Sequence, residues 1–342
     1  MQTVVKEVNM LSKKQNLIET ITPGGKPDRF VDQYEALGIV ATTPFAVPWC
    51  EPGGPEVKNG WGVTQKWIEG TPGQFPLHDD AHLVCKDIEH WKDDVHAPDL
   101  SKYTAADWEP AIKEAEQYDG NDVFISAMQA PGIFEQCHYL TEIKRCMMYF
   151  VTNPDDMHEL IKYITDWELQ LAEQWCTYVK PEGLFHHDDW GTQMSTFLSP
   201  DMFAEFYLEP YKQVYGYYKD HGVKLVVHHS DCYAATLVPY MIEMGIDIWQ
   251  GGQSTDDFPA LIKEYGGKIS FMAGIDDAIV DKPDWDEQHV REVTRQAINE
   301  CAPVADKHFF IPCLTHGLGF SIFDGVYATI SDEIAKMSKE MF

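Results

Sequence analysis

The chain has 342 residues, with 55 Asp and Glu against 26 Lys and Arg, and a formal charge of −29 spread along its length. A surface of that sign repels a phosphate backbone and an anionic bilayer, which excludes nucleic acid and membrane surfaces as partners. With 44% hydrophobic and 13% aromatic residues, the chain supports a large core and is too apolar for a disordered acidic protein.

The opening stretch MQTVVKEVNMLSKKQNLIET is mixed polar, without the apolar block of a secretion signal, and no run approaches the roughly 20 apolar residues of a membrane span. A cytoplasmic protein is expected. The first strand-like run is Ile39–Pro44. From about 45 to 110 the sequence turns rich in Gly, Pro, Trp and Asp, as in PWCEPGGPEVKNGWGV, and reads as an irregular extension covering one end of the main body. Six further runs follow: Asp122–Met128, Gly183–His187, Lys224–His229, Ile246–Gly251, Lys268–Ala273 and Phe309–Leu314. Helical stretches alternate with them. Asn153-Pro154 opens one whose apolar residues Met157, Leu160, Ile161, Ile164 and Trp167 share a face; Ser199-Pro200 opens another that ends at Gly222.

This alternation predicts an α/β fold with parallel strands and right-handed crossovers. A (β/α)8 TIM-type barrel takes about 250 residues and leaves roughly 90 for the irregular N-terminal extension. The expected organisation is therefore one domain over 1–342, with the extension and first strand in about 1–110 and the main βα repeats in about 111–342. Seven strands are found, so the eighth is missed or irregular. An open doubly wound sheet is the alternative, but neither G-x-G-x-x-G after an early strand nor G-x-x-x-x-G-K-[ST] occurs.

In such barrels the chemistry sits at the carboxyl ends of the strands. There the chain places His186-His187-Asp188-Asp189, His228-His229-Ser230-Asp231-Cys232, Gln250, Asp276, and Cys313 with His316. His229, Asp231, Cys232, Cys313 and His316 offer N, O and S donors suited to Zn2+, although the spacing is not that of a zinc finger. The alternative has His229 bonded to a carbonyl and both thiols buried. Without metal, His187, Asp188, Asp189, His229 and His316 are candidates for acid–base work. Side-chain alternation sends His187 and Asp189 one way, His186 and Asp188 the other, so only one pair faces the mouth. Trp190 and Trp249, with Gln250 and Asp276, are candidates for the substrate wall. Eight single cysteines without a C-x-x-C pair read as reduced thiols. Only four arginines, Arg29, Arg145, Arg291 and Arg295, are available to grip a polyanion.

The stretches HHDDWGTQMSTFLSPDMFAEFYLEPYKQVYGYYKDHG, KLVVHHSDC, GIDIWQGGQSTDDFPALIKEYGGKISFMAGID and FFIPCLTHGLG together resemble the uroporphyrinogen decarboxylase superfamily over about 120–342. A weaker likeness lies in KKQNLIETITPGGKPDRFVDQYEALGI. The resemblance implies a distorted (β/α)8 barrel, and either a tetrapyrrole decarboxylase or a corrinoid-dependent methyltransferase. Decarboxylases of the superfamily hold their substrate with an arginine-bearing N-terminal motif, where this chain offers Arg29 alone. Methyltransferase members bind zinc through His-x-Cys and a later Cys. His229 matches that histidine, Asp231 replaces the first cysteine, and His316 takes the late position with Cys313 just before it. The implied activity is transfer of a methyl group from a small methylated substrate, first of all an aryl methyl ether, to cobalamin carried by a separate corrinoid protein. His229, His316 or a bound Zn2+ would stabilise the departing group, and Asp188 or Asp189 would orient it. A catalytically silent ligand-binding barrel is the third reading. Homodimeric assembly is left open.

Overall fold

The computed structural model describes residues 10–46, 49–69, 73–317 and 319–342; most of the mixed polar opening stretch, residues 1–9, lies outside the described residues. Each apolar run singled out in the sequence forms a strand: β1 (Leu37–Val40), β2 (Phe124–Gln129), β3 (Gly183–His187), β4 (Leu225–His229), β5 (Ile248–Gln250), β6 (Ser270–Ile275) and β7 (Phe310–Leu314). Each pairs in parallel with its neighbour in the series, so the sheet runs in order from β1 to β7. The helices that matter below are α1 (Lys13–Ile21), α2 (Ile133–Thr141), α3 (Pro154–Gln174), α4 (Glu209–Asp220), α5 (Glu287–Cys301) and α6 (Val326–Met341).

Alternation along the strands divides the core in two. Phe124, Phe185, Leu225, Val227, Ile248, Met272, Ile311 and Cys313 point to one face and form a single buried cluster that also takes in Leu17 of α1. Side chains of β2 and β7 meet there only because the sheet is curled. The opposite face, including Leu184, Val226, Trp249, Phe271 and Phe310, belongs to the outer cluster with the helices. α1 lies under the amino ends of the strands. Its Ser12 cap accepts from Gln15 N, and Lys14 Nζ donates to the Gly120 carbonyl at 2.7 Å and pairs with Glu182 just before β3.

An eightfold barrel is not what the described residues form: the sheet has seven strands, and the seam between β7 and β1 is filled by side chains. Gln33 Oε1 accepts from Leu314 N at 3.3 Å, Tyr34 OH donates to the His316 carbonyl at 2.8 Å, and Val31 and Ala36 enter the inner cluster. A strand edge needs partners for its amides, and here a glutamine supplies one in place of a neighbouring ladder.

The helix starts read from the sequence hold. Asn153 precedes α3, which buries Met157, Leu160, Ile161 and Ile164, while Ser199 Oγ accepts from Met202 N ahead of the segment leading into α4. Gly222, with φ +108, takes the left-handed turn after α4 that lets the chain enter β4. The N-terminal extension contains a small antiparallel sheet (Val57–Lys58, Thr64–Lys66, Phe75–Pro76). Its aromatics pack on the flank: Trp61 lies 5.2 Å from Trp167 and Trp91 lies 5.3 Å from Tyr163, both of α3. Trp61 therefore braces a helix. No helix among the described residues is long and apolar enough to cross a membrane.

Phe185 is fully buried at the centre of the inner cluster. Phe185→Ala should cost about 3–5 kcal/mol, read as a lowered urea midpoint with an unchanged m-value.

Candidate functional site

Parallel register sets His187 of β3 opposite His229 of β4, and His229 opposite Gln250 of β5. All three face inward at the carboxyl ends of their strands, one step above the inner cluster. The imidazoles of His187 and His229 stack with centroids 4.4 Å apart. Asp189, two residues beyond His187, follows it to the same side: its Oδ2 lies 3.7 Å from His187 Nε2 and its Oδ1 3.8 Å from His229 Nε2. The backbone amide of Asp231 donates to Asp189 Oδ1 at 2.8 Å and fixes the carboxylate.

The ligand atoms of His187, Asp189 and His229 all lie within 4.8 Å of one another, the single such group among the described residues. The fit to a metal rests on two further features. His229 Nε2 is buried and has no hydrogen-bond partner. Gly317 lies against the face of that ring, where a Cβ would stand 2.7 Å from Nε2 and 2.8 Å from Cε1, so the imidazole keeps its place because residue 317 lacks a side chain. Burial pushes the His229 imidazole down to about 3 and lowers that of His187 as well, so both rings are neutral and free to bind. Two imidazoles and one carboxylate are the donor set of catalytic zinc sites that keep a fourth position open.

Carboxyl groups crowd the same space. Glu135, in the first turn of α2, brings Oε2 to 3.5 Å from His187 Nε2, and that oxygen has no hydrogen-bond partner. Burial, then the charges of Asp189 and Asp188, hold the Glu135 carboxyl well above its ordinary range. Asp231 is raised in the same way by burial, then by Asp189, Asp277 and Asp276. Buried acids that repel one another favour a proton or a dication between them.

Several residues expected at the mouth serve elsewhere. Asp188 points to the outer face, wholly buried, where Oδ2 accepts from Phe134 N and Oδ1 from Glu135 N, both at 2.8 Å, and Tyr211 OH bonds to it. It is an anchor for the start of α2, not a catalytic acid. Trp190 lies behind the sheet, stacked on His228 at 3.9 Å, and Trp249 packs between Phe258 and Phe271 with its Nε1 donating to the Ser230 carbonyl. Neither walls a substrate space. Asp276 spends its oxygens on Ala278 N and Ser254 N, capping a short helix. Cys232 bonds Ser230 Oγ at 3.1 Å in the outer core, and Cys313 donates to the Leu314 carbonyl inside the inner one. Burial pushes both thiols up, so they are poor ligands where they stand. Asp231 and His316 remain beside the donor group without joining it. His316, its Nδ1 unpartnered and its imidazole lowered by burial, stands at the rim 6.3 Å from Phe320. Gln250 turns to His229 rather than to solvent. Glu135 and Gly317 were not singled out in the sequence, although the first follows the end of β2 as the others follow their strands.

The fold and the site define an α/β enzyme architecture with a His–Asp donor group at the carboxyl mouth of a curled parallel sheet. Residues 101–322 match the family model for uroporphyrinogen decarboxylase (URO-D), and the chain belongs to that family. Among solved structures it is similar to a methyltransferase from Methanosarcina mazei, with a TM-score of 0.58 at 11% identity, covering 81% of this chain and 76% of that one; the likeness is one of fold. No curated protein matches the sequence.

Gly317→Ala should press a methyl group onto the face of the His229 ring and displace it from Asp189 and His187. Zn2+ affinity measured by calorimetry should fall at least about tenfold, and the melting temperature of the metal-free protein should fall as well. A second expectation concerns pH. The unfolded chain protonates His229 near its ordinary value of 6.5 and the folded one only near 3. Below about 6.5 the unfolded state therefore binds the extra proton. Relative to His229→Gln, the wild type should lose up to about 1.4 kcal/mol of stability per pH unit as pH falls through that window, measured by denaturant titration at each pH.

Proposed function

We propose that this protein transfers a methyl group from a small methylated substrate, an aryl methyl ether in the first instance, to a corrinoid carried by a separate partner protein. In this reading Zn2+ is held by His187, Asp189 and His229. The observation that carries it is the convergence of these three donors within 4.8 Å around an orphaned His229 Nε2. Support comes from the location at the strand ends and from the fold shared with a protein named as a methyltransferase. When bound, Zn2+ would act as a Lewis acid on the oxygen that gives up its methyl group.

The chain's own groups have definable tasks. The Asp231 amide and the His187–His229 stack hold the donors in place before substrate arrives. Glu135 and Asp231, raised by burial, keep protons close to where a leaving oxygen would develop charge. His316 offers a neutral imidazole at the rim. Met194 beyond β3, and Phe320 and Ile322 beyond β7, are exposed apolar side chains suited to the face of a docked macrocycle.

Decarboxylation of a tetrapyrrole is disfavoured by the arginines. Arg29 pairs with Asp28 and Glu35 near α1, Arg145 lies on the helix Ile143–Thr152, and Arg291 and Arg295 of α5 are engaged by Glu333 of α6. Arg29, Arg291 and Arg295 are thus already paired with carboxylates of the chain, and the carboxyl-rich mouth repels those of such a substrate.

The test is metal analysis followed by incubation with a cobalt(I) corrinoid protein and methoxylated aromatics, with transfer followed by corrinoid absorption. One Zn2+ per chain is expected. His187→Ala, Asp189→Ala and His229→Ala should each lower the rate by about 100-fold or more. Carbon dioxide release from uroporphyrinogen, or unchanged rates in all three variants, would refute the reading.

A further inference from the structure

Gln250 occupies a position that the donor group does not account for. It is fully buried on β5, in register with His229, and its side-chain oxygen is hydrogen-bonded to His229 Nδ1. An amide can present either end to a ring nitrogen, and here the choice is made from the other side. Gln250 Nε2 donates toward the carbonyls of Leu314 at 3.1 Å, Thr315 at 3.2 Å and His316 at 3.4 Å, where the chain leaves β7. Carbonyls only accept, so the end facing them must be the NH2 group and the end facing His229 must be the oxygen. An oxygen in turn accepts, so Nδ1 must carry the ring proton. The lone pair is left on Nε2, the buried atom without a partner that lies 3.8 Å from Asp189 Oδ1.

We propose that Gln250 is a positioning residue: held by the Leu314–His316 carbonyls, it fixes His229 as the Nδ1–H tautomer and aims the Nε2 lone pair at Asp189 and the donor group. The inference rests on the site assigned above and adds the residue that makes one of its donors competent. It also explains why this position carries an amide. A hydroxyl is too short to reach from the three carbonyls to the ring, and an apolar side chain would leave carbonyls and Nδ1 without partners.

The experiment reads the tautomer directly, in the metal-free protein labelled with 15N-histidine, by long-range proton–nitrogen correlation, with His229→Gln to assign the signal. The wild type should show His229 protonated at Nδ1 alone. Gln250→Met should convert it to a mixture or to the Nε2–H form and weaken Zn2+ binding about 10–100-fold. Gln250→Glu, whose buried carboxyl in its protonated form donates to a carbonyl and keeps an acceptor against Nδ1, should retain the tautomer and lose less affinity. A wild-type signal with the proton on Nε2 overturns the proposal whether or not any Gln250 variant folds. So does a folded Gln250→Met protein with unchanged tautomer and unchanged affinity. The tautomer is read without substrate, so failed methyl transfer with the expected signal would refute the functional reading alone.

Discussion

The constraint on which the site depends is the parallel register of β3, β4 and β5. Because the three strands align His187 with His229 and His229 with Gln250, two imidazoles and an amide arrive at one height on the inner face, and their hydrogen bonding follows from that alignment. The same register sends His186, His228 and Trp249 outward. There they join a second buried layer in which Tyr215 OH bridges His186 Nδ1 at 3.1 Å and His228 Nδ1 at 2.9 Å, and Glu168 lies 3.3 Å from His186 Nε2. A slip of one residue would exchange the two sets completely. In the outer layer a tyrosine of α4 and a glutamate of α3 bond both nitrogens of His186 and Nδ1 of His228, which favours the inward orientation of the other set.

Electrostatics completes the picture. The mouth collects Glu135, Asp189, Asp231 and Asp277 around histidines that burial keeps neutral, and the groups acting on Asp231 after burial itself are all carboxylates. The arginines lie on the flank and in the α5–α6 contact, where Glu333, nearly inaccessible to solvent, joins the two helices. Such a cluster is ill suited to anions and well suited to a cation placed among the acids. The acidic imbalance of the whole chain recurs at the scale of the site.

Much of the fold was legible. Strands buried on both faces read as short apolar runs whichever way they pair, and six of the seven were found near their observed limits, while the run Ile39–Pro44 shares only Ile39 and Val40 with the strand Leu37–Val40. The eighth left no trace because its place is taken by Gln33, Tyr34 and Val31 acting as side chains, and a seam of that kind has no periodicity to detect. At the site, alternation separated His187 and Asp189 from His186 and Asp188, but the choice of inward pair depends on strand register, which no local pattern encodes. The metal set inferred from the resemblance followed the spacing of His229 to Asp231. In space, Asp189 lies between the two imidazoles, while the backbone amide of Asp231 secures it. Trp190 and Trp249 misled because a tryptophan that ends a strand looks the same whether it faces a mouth or a helix. Glu135 was overlooked because it comes from the first turn of α2, beyond the strand end itself.

The seam has a consequence for the order in which the molecule is assembled. Gln33 meets Leu314 across 281 positions of sequence and Tyr34 meets His316 across 282, among the longest-range bonds in the fold. Ordering so large a loop yields no return until both ends are in place, which makes this closure a late event. During synthesis the first six strands emerge while the last is still unmade, and the nascent sheet carries two bare edges until the ribosome has delivered residues 310–316. Since the turn that holds Gln250 is that same stretch, the hydrogen bonds that orient its amide are completed only with this closure.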